Sequence, residues 1–563
     1  MGLFPPGRKN RPFTVAKSAA HRRPKPAKPS DAVPIAAPWW RSPWLWAGLG
    51  GGLMGLTPDP VNLWPLAWVA LAPLWRVVLQ PGRSPSLWRV FGLGCVWSGT
   101  YHGIVLSWMT HLHPLTWMGI PWLASLGIAL FAWAFITGLG TVTFGLWAVL
   151  LRWLSDRCRL SWGARILVGI ALWCLLETLL SWGPLAWPFL SFTQSPGNLW
   201  ILQLGRLTGP AGITAAIVAV NGCWAEMSLG QGTAQHRRAS SQGAAIAGLL
   251  FLLTLHGLGG GLYHQPVGDR PDTALKIGLI QGNIPTREKL TPAGTRQAIA
   301  AYTEGYRELV AQGADAVLTP EGAIPDLWTS ELQRRSPILQ AVRQTGVPLW
   351  LGTFRPVGPL ANREMTQSLV NLNAQGEVTS QYSKVKLVPL GEYIPFEATL
   401  GRLISRLSPV SSSLLPGSTD QIFETPFGAA AIGICYESPY SELFRRQVAN
   451  GAEWIMTASN HDPYPPRMMR QHHAQDVLRA VESDRWAVRV TNTGISGVVT
   501  PHGDTVWLSE PNQYVTHLTQ IYRRQTLTPY VRWGNWLTWS LGAIALLLCV
   551  SNLRTKSKGI DMG

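Results

Sequence analysis

From residue 43 to about residue 263 the chain alternates long apolar stretches with short polar interruptions, and beyond residue 264 that pattern gives way to much shorter apolar runs. The long stretches fall near 43–58, 61–80, 88–110, 120–153, 163–182, 211–228 and 244–263. A bilayer core is crossed by roughly 20 helical residues, so the pattern predicts seven membrane-spanning helices, the first short and the fourth long enough to tilt. A further apolar stretch at 533–552 predicts a last span. Between them, in 271–505, the runs "ALKIGLIQ", "ADAVLTPE", "VPLWLGTF", "AAAIGICYE", "EWIMTASN" and "RWAVRVTN" read as strands. Residues 293–312 and 468–484 have helical spacing. The expected architecture is a multi-pass α-helical membrane bundle plus an α/β domain. Its divisions are a disordered basic tail at 1–42, a seven-helix bundle at 43–263, the polar domain at 264–530, a final helix at 531–552 and a short tail at 553–563.

Composition agrees with a membrane protein: 47% of residues are hydrophobic and 29 are tryptophan. The net charge of +17 raises the alternative of nucleic-acid binding, which the placement of the basic residues decides against. Counting from the tail, alternate loops carry Arg83 and Arg89, then Arg152, Arg157, Arg159 and Arg165, then Arg237 and Arg238. The intervening loops are "TPDPVN", "THLHPLT" and a segment at 183–210 that holds only Arg206. Cytoplasmic loops collect Lys and Arg, so both termini are expected in the cytoplasm and 264–530 on the extracytoplasmic face. Arg554, Lys556 and Lys558 after the last span fit the same orientation.

Five cysteines, Cys95, Cys158, Cys174, Cys223 and Cys549, lie in or beside the spans, which leaves Cys435 alone in the polar domain. A lone cysteine ending an apolar strand is ordinarily a small buried hydrophobe. Glu321 follows the strand "AVLTP" and Lys384 sits in "YSKVKLVPLGEYIPF"; each by itself reads as solvated charge. If the strands form one continuous sheet, their C-terminal ends meet at one edge, where α/β sites form. There a carboxylate, an ammonium and a thiol would complement one another: the cation lowers the thiol pKa and the carboxylate takes its proton. No Gly-rich phosphate loop and no Cys/His spacing is present, so neither a cofactor nor a metal is expected. His472 and His473 are adjacent, cannot share a helix face, and read as ordinary polar residues. Glu177, in "ALWCLLETLL", is an intramembrane carboxylate and therefore either functional or a helix-pairing group.

The order of short motifs is more specific than any one of them: "QGNIP" at 281–285, "PEGAIP" at 320–325, "YSKVKLVPLGEYIPF" at 382–396, "ICYE" at 434–437, "SN" at 459–460 and "TNTGIS" at 491–496. With them, residues 43–552 resemble the apolipoprotein N-acyltransferases, bacterial integral membrane enzymes with a nitrilase-like domain between their seventh and eighth helices. The resemblance implies an α-β-β-α sandwich on the bundle, in the bacterial inner membrane. It implies Glu321 as general base, Lys384 as electrostatic stabiliser and Cys435 as nucleophile, with Glu392 and Glu437 as supporting carboxylates and the Tyr436 N–H as an oxyanion donor. It also implies the reaction: a phospholipid acyl chain passes through a Cys435 thioester to the α-amino group of the diacylglyceryl-cysteine of an apolipoprotein. Membrane lipid and those lipoproteins are then the partners, and the chain is expected to act as a monomer.

Two rivals use the same features. A membrane-tethered amidohydrolase would pass the acyl group to water, although a tether needs one helix. A transporter with an outer binding domain would place more ionisable groups in its spans. The sequence departs from the resembled pattern at Leu290, where tryptophan is usual, and at His461-Asp462-Pro463-Tyr464, changes expected to reshape the substrate rim. Asn460 is a candidate substrate-binding residue. So are Leu414 and Leu415, which end an apolar, arginine-flanked segment at 396–417 that reads as an exposed arm admitting lipid.

Overall fold

Proline and glycine decide where the first helices stop. The computed structural model describes Gly2 and residues 39–80, 85–229, 234–359, 364–389, 391–393, 414–462 and 464–560. Most of the expected basic tail lies outside those residues. Helix α1, Pro43–Gly55, is 13 residues long; at 1.5 Å per residue it reaches about 20 Å, short of a bilayer core of about 30 Å. The next expected span opens as a 3-10 turn, Trp64–Trp68, and becomes α-helical only at α2, Ala72–Leu79, with Pro73 in its first turn. Then follow α3 (Leu87–Val105), α4 (Trp122–Arg157), α5 (Trp162–Trp182), α6 (Pro210–Leu229) and α7 (Ala234–Tyr263). Among the described residues five helices are long and apolar enough to cross a membrane: α4, α5, α6, most of α7 and the last helix of the chain.

Small residues let these helices approach closely. A Cβ on Gly51 of α1 would lie 2.1 Å from the Trp97 carbonyl oxygen of α3, and one on Gly94 of α3 would lie 2.9 Å from Gly145 Cα of α4. Polar side chains inside the bundle are spent on joining segments. Asn221 accepts from the Leu71 and Ala72 N–H groups at the start of α2 and donates to Ala67 O and Ile217 O. Glu177 accepts from Trp173 Nε1 at 3.1 Å, Leu190 N at 2.9 Å and Thr214 Oγ1 at 2.7 Å, so it ties α5 to α6 and to the loop between them, the helix-pairing alternative.

Arg165, counted with the loop charges in the sequence, is a buried residue of α5 whose Nε donates to Glu226 Oε1 at 2.8 Å. Trp75 Nε1 reaches the same oxygen at 3.3 Å. Arg165 therefore lies inside the bundle and not in the loop, which leaves Arg152, itself paired with Asp156, and Arg157 and Arg159 there.

Among the described residues twelve strands form two sheets, in the orders β12-β1-β2-β3-β4-β5 and β11-β10-β9-β8-β7-β6. The first contains β1 (Ala274–Gln281), β2 (Ala316–Leu318), β3 (Leu349–Pro356), β4 (Met365–Leu372), β5 (Val378–Ser383) and β12 (Val515–Tyr522). The second contains β6 (Phe423–Thr425), β7 (Gly428–Ile434), β8 (Trp454–Ser459), β9 (Ala487–Thr491), β10 (Gly497–Val499) and β11 (Thr505–Leu508). In each, three central strands run parallel, β1-β2-β3 and β7-β8-β9. These are the two sheets of the α-β-β-α sandwich that the resemblance implies, and the single continuous sheet supposed in bringing Glu321, Lys384 and Cys435 to one edge does not form. Alternate residues face inward on both: Ile277, Leu318, Trp350 and Leu369 meet Ile432, Trp454, Met456 and Val488 in one core.

Helices α8 (Pro292–Ala311) and α9 (Pro337–Thr345) cover the first sheet through Tyr302, Leu309, Ile338 and Val342. The second sheet is covered by α10 (Ser441–Ala449) and α11 (Pro466–Ser483). Phe444, Val477, Leu478 and Val481 of this layer share one core with Ile201, Leu204 and Ile213 of the bundle. The sandwich thus sits on the bundle through α10 and α11, and α11 is buried on every face from Gln471 to Ser483. Polar contacts fix the seat: Gln471 Nε2 donates to Val105 O, Trp187 Nε1 to Gln471 Oε1, and Ser195 Oγ to Ala474 O. The chain returns to the bundle through α12, Trp536–Ile560.

Glu226→Gln should lower stability by about 3–5 kcal/mol because it strands the Arg165 charge, whereas the double change Arg165→Met with Glu226→Leu should recover most of the loss. Thermal unfolding in detergent reads both; an unaltered midpoint in the single variant would mean that water reaches the arginine.

Candidate active site

Strand β7 ends at Ile434, and Cys435 opens a 3-10 turn, Cys435–Glu437, with φ of 49°. That left-handed backbone is uncommon for a residue with a side chain. The turn swings Glu437 back so that its Oε2 accepts from Ile434 N at 2.7 Å and from the Tyr382 hydroxyl at 3.1 Å. Its Oε1 accepts from Val385 N at 2.6 Å and Lys386 N at 3.0 Å. One buried carboxylate therefore joins the end of β7 in the second sheet to the segment after β5 in the first. Lys384 lies at that junction.

Lys384 Nζ donates to Glu321 Oε1 at 2.9 Å and to Glu392 Oε1 at 2.5 Å. Glu321, just past β2, uses its other oxygen to accept from Asn460 N at 2.9 Å, and the Cys435 thiol donates to Asn460 O at 3.8 Å. The Asn460 backbone thus bridges Glu321 and Cys435. Lys384, Glu321 and Cys435 are 0%, 5% and 7% exposed. The structure brings all three expected residues together, but between two sheets instead of along one edge.

Burial sets the electrostatics. It works against the Lys384 charge, but Glu321 and Glu392, with the Cys435 sulphur, outweigh it and hold the ammonium well above its ordinary range. Burial pushes the Cys435 thiol up, and Glu321 adds to this more than Lys384 offsets. The net direction favours the thiol form of Cys435, the opposite of the lowering that a neighbouring lysine was expected to produce. Burial likewise raises Glu392, against the pull of Lys384, and raises Glu437 to about 7 despite its three backbone donors. Lys289, 3% exposed, is lowered to about 8 by burial, partly offset by Glu321 and Asp462. It is a second lysine beside the base that its place after "QGNIP" did not single out.

The other expected residues are placed as follows. Glu392 holds Lys384 directly and accepts from Val388 N, whereas Glu437 holds main chain. The Tyr436 side chain docks on the bundle loop: its hydroxyl donates to Pro184 O at 3.0 Å and its ring stacks on Trp187. Asn460 commits its side chain to Thr286 Oγ1 and Asn492 Nδ2, so its amide positions the loop and is not free for substrate. Leu414 is not exposed. It is 2% accessible, its N–H donates to Glu392 O, and Leu415 N donates to Met365 O. Residues 396–413 of the expected arm lie outside the described residues.

His461 and His472 were not foreseen. Both are fully buried, so His461 is beneath the site and not on its rim. His472 reaches the Cys435 carbonyl while His473 reaches Thr505 Oγ1, as two neighbours about 100° apart on a helix covered all round would. Tyr464 packs its ring against Trp108 of the bundle.

Glu437→Gln should lower thermal stability and the acylation of Cys435 together. The substituted amide turns N–H groups toward N–H donors, at roughly 1–3 kcal/mol for each group left unsatisfied. Unfolding in detergent, run beside a thiol-acylation assay, reads both; loss of one without the other would separate the staple from the site.

Residues 50–223 match the family model described as Apolipoprotein N-acyltransferase N-terminal domain, and residues 276–518 match Carbon-nitrogen hydrolase. The chain is 49% identical to an apolipoprotein N-acyltransferase of Nostoc sp., over 88% of this chain and 96% of the relative. It is 45% identical to one of Thermosynechococcus vestitus, over 91% and 96%. It is also similar to a solved amidase from Nesterenkonia sp., at 18% identity and a TM-score of 0.35 over 47% of this chain and 95% of that one. With both halves matched and relatives alike along nearly their whole length, this membrane protein belongs to the apolipoprotein N-acyltransferase family and is an acyltransferase.

Proposed function

We propose that the enzyme moves an acyl chain from a membrane phospholipid, through a thioester on Cys435, to the α-amino group of the N-terminal diacylglyceryl-cysteine of a lipoprotein. The observation that carries this reading is the meeting of Cys435, Glu321 and Lys384 in a buried site whose outer helices rest on the bundle. Two lipid-anchored substrates need such a site at the bilayer surface. A covalent intermediate lets them be bound in turn.

In the first half-reaction Glu321 takes the Cys435 proton as sulphur attacks the ester carbonyl. The tetrahedral oxyanion is stabilised by the Lys384 ammonium and the Tyr436 N–H. Its collapse breaks the ester C–O bond, and the lysophospholipid oxygen leaves with the proton held by Glu321. In the second, the lipoprotein amine attacks the thioester, Glu321 accepts its proton, and the departing sulphur recovers a proton as the amide forms. Because burial favours the thiol form, proton removal in the first half belongs to the attack itself, and in the second half Glu321 is needed for the amine proton instead.

The same reading places the enzyme in the bacterial inner membrane as a monomer, sandwich outside and both termini inside, on the strength of the loop arginines other than Arg165. The segment at 396–417 remains the proposed lipid entrance, its far end anchored where Leu414 meets Glu392.

Cys435→Ser should fold and yet form no acyl-enzyme from labelled phospholipid, since a serine hydroxyl is far less acidic and the described site offers Glu321 and Lys384 as its activating groups. Label retained at wild-type level on the variant would remove Cys435 from the reaction. An acyl-enzyme in the wild type that passes its label to water in the presence of a diacylglyceryl peptide would favour the amidohydrolase reading.

Glu321→Gln should block both acylation and transfer, whereas Lys384→Met should slow both by roughly 10²–10³-fold, as for loss of an oxyanion donor. The lysine variant should also unfold earlier, because Glu321 and Glu392 are left facing each other without their cation. Single-turnover kinetics with preformed thioester separates the halves; normal rates in either variant would exclude that residue.

A further inference from the structure

Behind the nucleophile lies a buried polar network that the proposed reaction does not use. His472 of α11 places Nε2 2.8 Å from the Cys435 carbonyl oxygen. On its other side, Nδ1 lies 3.0 Å from Arg489 Nη1 and 2.7 Å from His461 Nε2. Arg489, on β9, is itself held: Nε donates to Asp476 Oδ2 at 2.5 Å, Nη1 to Ser459 Oγ at 2.9 Å and Nη2 to Ser438 Oγ at 2.9 Å. Thr457 Oγ1 donates to the same Asp476 oxygen. His461, His472, Arg489, Asp476, Ser438 and Ser459 are all 3% exposed or less.

The network has one consistent protonation pattern. A guanidinium can only donate, so His472 Nδ1 accepts, and a neutral His472 must then carry its proton on Nε2 and donate it to the Cys435 carbonyl. Burial first, and the Arg489 charge second, push both His472 and His461 well below the ordinary histidine range, so the neutral form is the one present.

That carbonyl matters because of the peptide it belongs to. Cys435 C=O and Tyr436 N–H are opposite ends of one planar trans unit. Fixing the oxygen fixes the direction of the N–H, and a hydrogen bond to the oxygen polarises the unit toward stronger donation. The peptide follows a cysteine at φ of 49°, a conformation the backbone does not favour on its own. Arg489 reaches Ser438 at the other end of the same turn, so the turn is gripped at both ends.

We infer that His472, held by Arg489 and His461, is the positioning residue of the oxyanion site: its Nε2–H locks the Cys435–Tyr436 peptide so that the Tyr436 N–H faces the tetrahedral oxygen. This rests on the acyl-transfer reading above. His472 touches neither substrate nor sulphur and acts through the peptide alone.

The test compares two reactions of Cys435 in the full-length enzyme in phospholipid–detergent micelles. Acylation by labelled phospholipid passes through an oxyanion, whereas alkylation by iodoacetamide is a direct displacement at carbon that does not. Both are followed on the peptide containing Cys435. His472→Leu should slow acylation by roughly 10- to 100-fold, a part of what loss of a donor itself costs, and leave alkylation within about twofold of wild type at the same pH. His472→Gln, whose amide nitrogen can take the place of Nε2, should restore most of the acylation rate.

Equal slowing of both reactions in His472→Leu would mean a role in packing or in the thiol, and would overturn the inference. Acylation at the wild-type rate in His472→Leu, or no rescue in a folded His472→Gln that alkylates normally, would overturn it as well. A wild-type enzyme that alkylates at Cys435 but takes no acyl group there would instead overturn the functional reading, and the inference with it.

Discussion

The site depends on one buried carboxylate. Glu437 accepts hydrogen bonds from Ile434 in one sheet and from Tyr382, Val385 and Lys386 at the edge of the other. These bonds set the distance between the strand that ends in the nucleophile and the strand that ends in the lysine. A charge taken out of water is costly unless its lone pairs are filled, and here they are filled by groups whose positions define the reaction. The stabilising interaction and the catalytic alignment are one set of contacts, so the site cannot loosen without the sandwich loosening too.

Helix α11 supplies the second constraint. Its sequence is polar, yet one face lies on the second sheet and the other on the bundle. Polar groups in that position survive only when bonded. Gln471 spends its amide on the bundle, at Val105 and Trp187, while His472 reaches the Cys435 carbonyl and Asp476 holds Arg489 and Thr457 of the second sheet. The same helix that seats the sandwich on the bundle therefore sets the backbone of Cys435. Tyr436 extends that coupling, because its ring and hydroxyl rest on the bundle loop at Pro184 and Trp187. The position of Cys435 relative to the bundle is thus fixed through its own covalent neighbour.

Much of this was legible in the chain. Apolar periods of a helix and of a strand differ, so the long spans α4 to α7, the paired helices α8 and α11, and most central strands could be read from spacing alone. The identity of Cys435, Glu321 and Lys384 followed from their residue types at strand ends together with the resemblance of the motifs around them. Other features carried no such signal. Leu414 looked exposed between serines and prolines, and is buried because its N–H meets Glu392. Arg165 looked like a loop charge, and is an internal ion pair with a residue sixty-one positions away.

By itself the sequence determined the local periods and the membrane character, since each of these depends on side chains close together in the chain, and its motifs named Glu321, Lys384 and Cys435 as candidates through their resemblance to a known family. Only the tertiary structure decided how Glu321, Lys384 and Cys435 meet across the two sheets, that burial raises the Cys435 thiol, and that His472 lies under the Cys435 carbonyl. Those properties depend on what covers each face, and a face is covered by segments far away in sequence. His472 and Cys435 are thirty-seven residues apart and meet because α11 is held between sheet and bundle.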